Sequence, residues 1–524
     1  MAMRVGELDM PLLQLMNLDF YTLRDACQGV CIMGGIGSGK TSGSGAALAA
    51  AYLRSGMGGL ILCAKPEEAD LWRGYCRKAK RMGSLLEVTT SGAGFNFIAY
   101  ELARQGAQGL NAVVECLMRV LEIARAASPS HSRGGDAFWE DTTRQILRSG
   151  LPVLYAATGT VRMSDLLQFV RSAPRSQAEM ADPAWQAKSF FCEMFTKAAA
   201  QLDDETGARC VAYWQNDFAT LDAKTRGNIV ISLTTALDRF NHGWLKTAFC
   251  DATSYVPELS FHGAILLLNM PALTCNEDGI IAQQLIKYMW QRAVLARNAL
   301  PAQHLARPVF LWADEAQYFI NSYDAEFLST CRGSRCCTVF LSQSLPTYYA
   351  KMGGENARDR VHHLLGNFAT RIWHNNACHE TNEWAAKTIG RSLQSRSNFS
   401  EGHGTNHSLG MDMGEGNNWG GSSNTGGSYS HNGQGGGSYS SSSGGGSSWG
   451  SSDNWGRNRG GGSSTNVSQG YSEQMDYSIE PGAFSRVLKT GGPANGNRVS
   501  AVWFQAGRVF HASSGNALFA EFSQ

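Results

Sequence analysis

The stretch that decides the fold runs from residue 34 to residue 41 and reads Gly34-Gly35-Ile36-Gly37-Ser38-Gly39-Lys40-Thr41. It fits the pattern G-x-x-x-x-G-K-[ST]. The apolar residues Val30 to Met33 come directly before it, and the alanine-rich run Ser44 to Arg54 follows it. This succession predicts a strand, a loop and a helix, which is the setting that a phosphate-binding loop requires.

Each part of this loop has a chemical reason. Glycines let backbone N–H groups turn inward around phosphate oxygens, and the following helix adds the positive end of its dipole. Lys40 is expected to reach the β- and γ-phosphates of ATP, and Thr41 is expected to ligate Mg²⁺. The residues predicted to contact the nucleotide are Gly34, Gly35, Gly37, Ser38, Gly39, Lys40, Thr41 and Ser42.

Hydrolysis needs a second, acidic site, and residues 309–315 provide a candidate. The unbroken apolar run Val309-Phe310-Leu311-Trp312-Ala313 ends in Asp314 and Glu315. Such a run predicts a central strand, and ligands of open α/β sheets bind at the carboxyl ends of the strands. Asp314 is therefore predicted to hold Mg²⁺, and Glu315 to polarise the attacking water as a general base.

The next predicted strand, Thr338 to Ser342, is followed by Gln343. An amide beside the acidic pair is well placed to sense the γ-phosphate or its attacking water, so Gln343 is predicted to do this. Arg332 and Arg335 precede the strand. Either could reach the γ-phosphate of a neighbouring subunit, or be an ordinary surface arginine.

Strand and helix patterns alternate on both sides of a long helical stretch, which predicts a mostly parallel sheet. The predicted fold class is α/β, a RecA-like P-loop NTPase with an inserted all-helical domain and a disordered Gly/Ser-rich segment. The predicted divisions are a first part of the nucleotide-binding domain (1–98), the all-helical insertion (99–222), a second part of the nucleotide-binding domain (223–395), a disordered linker (396–472) and C-terminal strands that return to the core (473–524).

The Gly/Ser-rich segment contains too few apolar residues to offset the entropy of ordering a core, so we expect disorder. Aromatic residues recur every ten positions within it, at Trp419, Tyr429, Tyr439 and Trp449. They suit a repeated flexible linker or stacking contacts with single strands or partners. Beyond it, Val499 to Gln505 and Arg508 to Ala512 predict a hairpin.

Composition excludes several classes of protein. The formal net charge of +1 argues against a purely electrostatic DNA binder. The 13 scattered cysteines suit reduced thiols in the cytosol. No window is long and apolar enough to span a membrane, so we expect a cytoplasmic protein whose membrane association, if any, goes through a partner.

Several further segments carry a family resemblance. They are Phe138-Trp139-Glu140-Asp141, Lys224-Thr225-Arg226-Gly227, Asn269-Met270-Pro271 and Leu364-Leu365-Gly366-Asn367. With the nucleotide motifs, they make the chain resemble the TraG/TraD-type coupling proteins of type IV secretion, within the FtsK/HerA superfamily of hexameric translocases. The likeness covers most of residues 20–395 and, more weakly, residues 476–524.

The resemblance implies a homo-hexamer with nucleotide at the subunit interfaces and single- or double-stranded DNA in its channel. It also implies a relaxase or secretion-channel proteins as partners. Arg332 matches the family's trans-acting arginine better than Arg335 does. Coupling proteins usually carry an N-terminal membrane domain, whereas this phosphate-binding loop begins about thirty residues in, so we expect at most a peripheral position at the inner membrane.

Two other functions remain open. The chain could use nucleotide only to assemble and to hand protein cargo to a secretion channel, with the Gly/Ser-rich segment as a tether. It could also be a HerA-like motor in DNA processing, although its sequence shows no nuclease signature and a separate nuclease would be needed.

Overall fold

A computed structural model describes residues 7–127, 136–301, 304–354, 356–408, 422–432, 436–446 and 460–524. Their strands are β1 (Pro11–Met16), β2 (Asp19–Thr22), β3 (Val30–Met33), β4 (Gly58–Leu62), β5 (Leu85–Thr89), β6 (Ile265–Asn269), β7 (Val309–Ala313), β8 (Cys336–Ser342), β9 (Thr370–Trp373), β10 (Arg391–Ser408), β11 (Ser422–Asn432), β12 (Gly436–Gly446), β13 (Gly460–Tyr477), β14 (Arg498–Gln505) and β15 (Ala517–Ser523). Their α-helices are α1 (Leu23–Ala26), α2 (Ala46–Arg54), α3 (Glu67–Lys78), α4 (Phe97–Gln105), α5 (Gly109–Ala127), α6 (Asp136–Thr158), α7 (Met163–Arg171), α8 (Gln177–Ala181), α9 (Pro183–Gln186), α10 (Phe190–Ala198), α11 (Asp204–Ala212), α12 (Ala223–Asp238), α13 (Gly243–Phe249), α14 (Ala272–Ala296), α15 (Tyr323–Thr330), α16 (Leu345–Met352), α17 (Ala357–Gly366), α18 (His379–Ile389) and α19 (Ala483–Arg486).

The main sheet of the described chain has the strand order β15-β14-β9-β3-β8-β7-β4-β6-β5. The strands from β9 to β5 in this order run parallel. β14 runs antiparallel to both of its neighbours, β9 and the edge strand β15. Parallel neighbours require crossover connections, which the helices between them supply. The predicted α/β fold with a mostly parallel sheet is therefore confirmed.

The central strands are buried on both faces. Every residue of β3, β4, β7 and β8 is buried. Alternate side chains of β3 join different cores, Val30 and Ile32 on one side and Cys31 and Met33 on the other. Burial on both faces explains why these strands are continuous apolar runs in the sequence.

The helices of the insertion lie between β5 and β6 and continue beyond the predicted boundary at residue 222. Asp222 caps α12, and the buried Leu233 and Leu237 of this helix join the same core as the preceding helices. Phe240 and Phe249 pack edge-on against Phe97 of α4. The helical segment therefore ends at α13. Among the described residues, no helix combines the length and the hydropathy that crossing a membrane requires.

Within residues 396–472, where we predicted disorder, the stretches that the structure describes form strands, and residues 409–421, 433–435 and 447–459 lie outside the description. Residues 392–476 form a compact unit by themselves. In this unit β10 pairs with β13, and β11 pairs with β12. The second pair is antiparallel, with Tyr429 opposite Tyr439. Antiparallel pairing satisfies backbone donors and acceptors through the main chain itself, so small side chains suffice for it. Trp419 and Trp449 lie outside the described residues.

The C-terminal strands β14 and β15 belong to the main sheet, and the second one lies later in the sequence than the predicted hairpin placed it. β14 pairs with β9, which confirms the first strand of the predicted hairpin. The hairpin partner of β14 is β15, so our prediction of a strand at residues 508–512 was wrong. The N–H groups of His511 and Ala512 instead donate to the Asp19 carboxylate, at 2.9 and 3.0 Å. These hydrogen bonds hold the connection against the unpredicted hairpin β1–β2.

Candidate active site

The predicted site residues other than the arginines meet at the carboxyl edge of the main sheet. β8 lies between β3, which leads into the glycine-rich loop, and β7, which leads into the acidic pair. The hydroxyl of Thr41 donates to Oδ2 of Asp314 at 2.6 Å, although the two residues are 273 positions apart. The structure thus brings the loop and the acidic strand end together.

The loop owes its shape to glycine at particular positions. Gly37 and Gly39 have φ angles of +71° and +80°, in the region that favours glycine. A Cβ on Gly34 would overlap the Ser38 hydroxyl, so a side chain there would push that hydroxyl aside. Residues Thr41–Gly45 then form a wide π-helical turn that leads into α2.

Hydrogen bonds from two neighbouring strand ends anchor the loop. The N–H of Gly34 donates to the carbonyl of Ser342 at 3.2 Å, and the N–H of Gly35 donates to the carbonyl of Asn375 at 2.8 Å. Ser342 ends β8, and Asn375 closely follows β9. The loop is therefore fixed to the same sheet edge as the residues that follow those strands.

The loop fits an anionic phosphate group. Lys40 is buried, with Nζ 3.8 Å from Oε1 of Glu315. The Ser38 hydroxyl is buried, and the described residues offer it no hydrogen-bond partner. A phosphate oxygen would supply that missing partner and a counter-charge for the lysine. The Ser42 hydroxyl, at the end of the predicted set, accepts a hydrogen bond of 2.7 Å from Gln524.

The acidic pair divides into two environments. Oδ1 of Asp314 accepts the Glu315 N–H at 2.9 Å, while its other oxygen faces Thr41. Carboxylate and hydroxyl oxygens are the hard ligands that Mg²⁺ prefers, so Thr41 and Asp314 form a suitable donor set. Glu315 adopts a left-handed φ of +49° at the end of the strand, an uncommon conformation for a residue other than glycine that typically accompanies function.

Glu315 is almost entirely buried and accepts hydrogen bonds at both oxygens. Lys65 donates to Oε1 at 2.8 Å, and Gln317 donates to Oε2 at 2.9 Å. Burial tends to raise the pKa of Glu315, but these hydrogen bonds and the nearby lysine charges hold the pKa below its usual value. Glu315 is therefore ionised at neutral pH, the form in which a carboxylate can accept a proton.

Gln343 also reaches this carboxylate. Its Nε2 lies 3.3 Å from both carboxylate oxygens of Glu315. The preceding Ser342 donates to Oε1 of Gln317 at 2.8 Å. The end of β8 therefore places the amide of Gln343 against Glu315. Ser342 also orients the amide of Gln317, which contacts the same carboxylate.

Two side chains near the acidic pair, Lys65 and Glu68, were not predicted from the sequence. Lys65 follows β4, and its position after a buried parallel strand was the available signal. Burial tends to lower the pKa of Lys65, but the hydrogen bond to Glu315 and the neighbouring carboxylates outweigh it and raise the pKa. Glu68 is buried nearby, and burial together with the charge of Asp314 raises its pKa to about 8.

The loop after β7 is held by a buried ion pair. Nζ of Lys287 lies 2.5 Å from Oδ2 of Asp324, and both side chains are fully buried. The same lysine donates to the carbonyl of Phe319, and the same carboxylate accepts the N–H of Asn321 at 2.8 Å. These hydrogen bonds fix the chain that leaves Glu315.

His374, which directly follows β9, is a third group that the sequence did not reveal. Its Nε2 lies 2.7 Å from the hydroxyl of Ser44, in the turn after the glycine-rich loop. Burial lowers the pKa of His374 to about 3, and the charge of Lys40 acts in the same direction. The imidazole is therefore neutral at physiological pH.

We expect His374 to make stability depend on pH. The unfolded histidine takes up a proton near its usual pKa of 6.5, which the folded one does not, so stability falls as the pH drops below 6.5. Between about pH 7 and pH 5 this costs about 2 kcal/mol of unfolding free energy, at ~1.36 kcal/mol per pKa unit. Urea denaturation at both pH values should show that His374→Gln removes this part of the loss. An unchanged pH slope in that variant would contradict the expectation.

The two arginines lie away from the site of their own chain. Arg332 is exposed and precedes β8, and the Val309 N–H donates to the carbonyl of Arg335 at the start of β7. β8 has seven residues, about 20 Å at ~3.3 Å per residue. Both arginines therefore stand at the amino edge of the sheet, opposite the carboxyl edge that carries Thr41 and Asp314.

A family model matches the part of the sequence that carries the acidic strand. Residues 308–435 match the model described as the TraM recognition site of TraD and TraG. The matched segment includes Asp314, Glu315 and Gln343. A sequence comparison with curated proteins finds no match.

Solved structures of the coupling protein TrwB and of VirB4 are similar to this chain. The bacterial conjugative coupling protein TrwBΔN70 in its unbound monoclinic form has a TM-score of 0.51 and 13% identity, over 95% of this chain and 85% of that one. TrwB with ADP and Mg²⁺ has a TM-score of 0.46 and 13% identity, over 72% and 79% of the two chains. VirB4 of Thermoanaerobacter pseudethanolicus has a TM-score of 0.40 and 14% identity, over 70% and 85%.

The unbound TrwB structure carries the argument on fold, and the family model carries the argument on sequence. The chain has the P-loop NTPase fold seen in TrwB and matches the TraD and TraG model over residues 308–435, which confirms its resemblance to the type IV coupling proteins.

Proposed function

We propose that this chain is an ATP-driven, hexameric motor that moves DNA, with any protein attached to it, to a type IV secretion or conjugation channel. The observation that carries the proposal is the hydrogen bond between Thr41 and Asp314, with Glu315 and Gln343 beside it. These residues unite a phosphate cradle, a donor set for a metal ion and a buried base in one place.

This geometry supports the following roles for the residues. The glycine-rich loop and Lys40 bind the phosphates, and the oxygens of Thr41 and Asp314 would hold Mg²⁺. The ion, when bound, neutralises the charge that develops on the phosphates. Glu315 accepts a proton from the attacking water as the water oxygen bonds to the γ-phosphorus and the bond to the bridging β,γ-oxygen breaks. Gln343, 3.3 Å from the base, orients that water.

The position of the arginines supports an assembled ring. Arg332 cannot reach a nucleotide bound by its own chain, because β8 separates the two edges of the sheet. An exposed arginine at the amino edge could reach a nucleotide at the carboxyl edge of an adjacent copy. We therefore propose Arg332 as the trans-acting arginine of a homo-hexamer, and a relaxase or channel protein as a further partner.

DNA dependence of hydrolysis tests the motor. We expect single- or double-stranded DNA to raise kcat for ATP hydrolysis several-fold, because a translocase couples its cycle to the strand in its channel. Steady-state hydrolysis should be measured with the assembled protein at fixed salt, since binding to phosphates depends strongly on salt. Lys40→Ala is the background control. Equal rates with and without DNA would contradict DNA translocation.

A second function is favoured by one specific observation. The family model that matches residues 308–435 is described as a recognition site for a partner protein, TraM. The chain could therefore recruit protein cargo and use nucleotide only to assemble. In that case Glu315→Gln would leave delivery of cargo intact, whereas a motor with this substitution would bind nucleotide and deliver nothing.

A further inference from the structure

Lys65 places a second ammonium group at the candidate active site. It lies on the short connection between β4 and α3, and β4 is the neighbour of β7 in the sheet. Nζ of Lys65 is 2.8 Å from Oε1 of Glu315, and Nζ of Lys40 is 3.8 Å from the same oxygen. Two lysines from different strand ends therefore converge on one carboxylate oxygen.

These three side chains differ in their freedom to move. Glu315 is 3% exposed and Lys40 is 10% exposed, whereas Lys65 is 36% exposed. The backbone after Glu315 is fixed by the hydrogen bonds around Asp324. A partly exposed lysine has four rotatable side-chain bonds and can change partner without moving the backbone. Lys65 is therefore the member of this group that can exchange contacts at least cost.

The contacts of Glu315 leave little room for its proposed role. Oε1 accepts from Lys65 and Oε2 accepts from Gln317, at 2.8 and 2.9 Å, and the amide of Gln343 lies 3.3 Å from both oxygens. A general base must offer an oxygen to the water that it activates, within hydrogen-bond distance. Gln317 lies only two residues from Glu315 in the same fixed loop, so a ligand would not separate this pair. The contact with Lys65 is the one that a ligand could displace, because a phosphate group offers this cation more negative charge than one carboxylate does.

We propose that Lys65 is a second phosphate-binding lysine, which holds Glu315 while no triphosphate is bound and moves to the γ-phosphate when ATP binds, so that Oε1 of Glu315 can accept the attacking water beside the amide of Gln343. This inference rests on the ATPase function proposed above. The exchange is non-covalent, and ADP, which has no γ-phosphate, leaves Lys65 on Glu315. Lys65 thus distinguishes ATP from ADP and prevents the base from acting on an incomplete site.

The test compares ATP with ADP in the full-length Lys65→Met protein. We expect the affinity for a non-hydrolysable ATP analogue with Mg²⁺ to fall by about tenfold or more, the scale of one charge-assisted hydrogen bond. The affinity for ADP should stay at its wild-type value, because Lys65 does not touch it. The value of kcat should fall by about tenfold or more as well, and Lys65→Arg should restore part of both losses.

Lys78→Met is the matched control, because Lys78 is an exposed lysine at the far end of α3. Its affinities and kcat should equal those of the wild type. Retained ADP binding shows that Lys65→Met is folded. An unchanged ratio of ATP-analogue to ADP affinity, or a rise in kcat, would overturn the role of Lys65 while leaving the ATPase in place. Failure of the wild-type protein to bind or hydrolyse ATP would instead overturn the proposed function itself.

Discussion

Glu315→Gln is expected to lower kcat for ATP hydrolysis by about 10²–10⁴-fold, the usual contribution of a general base. The amide keeps the size of the side chain but cannot accept the proton of the attacking water. ATP binding should survive, because the glycine-rich loop, Lys40 and the metal-binding oxygens of Thr41 and Asp314 are unchanged. Steady-state turnover and a separate binding titration with a non-hydrolysable analogue distinguish the two effects.

Glu67→Gln is the control for this experiment. Glu67 is exposed at the start of α3 and lies outside the proposed machinery, so its replacement should leave turnover unchanged. A Glu315→Gln protein that keeps more than about a tenth of the wild-type kcat would exclude Glu315 as the base, since the loss expected of a base is at least ~10²-fold.

Arg332→Ala is expected to reduce kcat by about 10³–10⁵-fold, the range found for an arginine that stabilises the transferring phosphoryl group. The loss should depend on assembly, because Arg332 stands at the amino edge of the sheet and serves the site of a neighbour. Arg335→Ala, at the same edge, is the matched comparison and should have a much smaller effect. Turnover measured across a range of protein concentrations reports the dependence on assembly.

Mixed assemblies provide the decisive form of this test. Arg332→Ala subunits retain Glu315, and Glu315→Gln subunits retain Arg332. Where the two kinds of subunit meet in the correct order, one interface contains both groups. The mixture should therefore hydrolyse ATP faster than either variant alone. A mixture no faster than its parts would show that Arg332 does not act across a subunit boundary.

The nucleotide motifs could be predicted because each is continuous in sequence. In residues 34–41 the glycines, the lysine and the threonine follow one another, and the flanking strand and helix have clear patterns. Asp314 and Glu315 end an apolar run of the length of a buried strand. The chemistry of such segments depends on local conformation, so it is visible before any tertiary contact is known.

Other members of the site are invisible to this reasoning. His374 directly follows β9 and Lys65 comes three residues after β4, but neither belongs to a sequence motif. Their importance depends on which strands are neighbours, and strand order is decided by packing of the whole sheet. The prediction also misplaced β15. The connection before it is held by Asp19, through hydrogen bonds between residues 492 and 493 positions apart, which no local pattern reveals.

The sequence by itself determined the local pieces of this protein: the glycine-rich loop, the buried parallel strands and the acidic strand end. It could do so because backbone freedom and hydrophobic periodicity act over a few residues. Only the tertiary structure decided that Thr41 meets Asp314, that Lys65 holds Glu315, and that Arg332 lies at the opposite edge of the sheet from the site. These outcomes depend on strand order and direction, which arise from contacts between residues hundreds of positions apart.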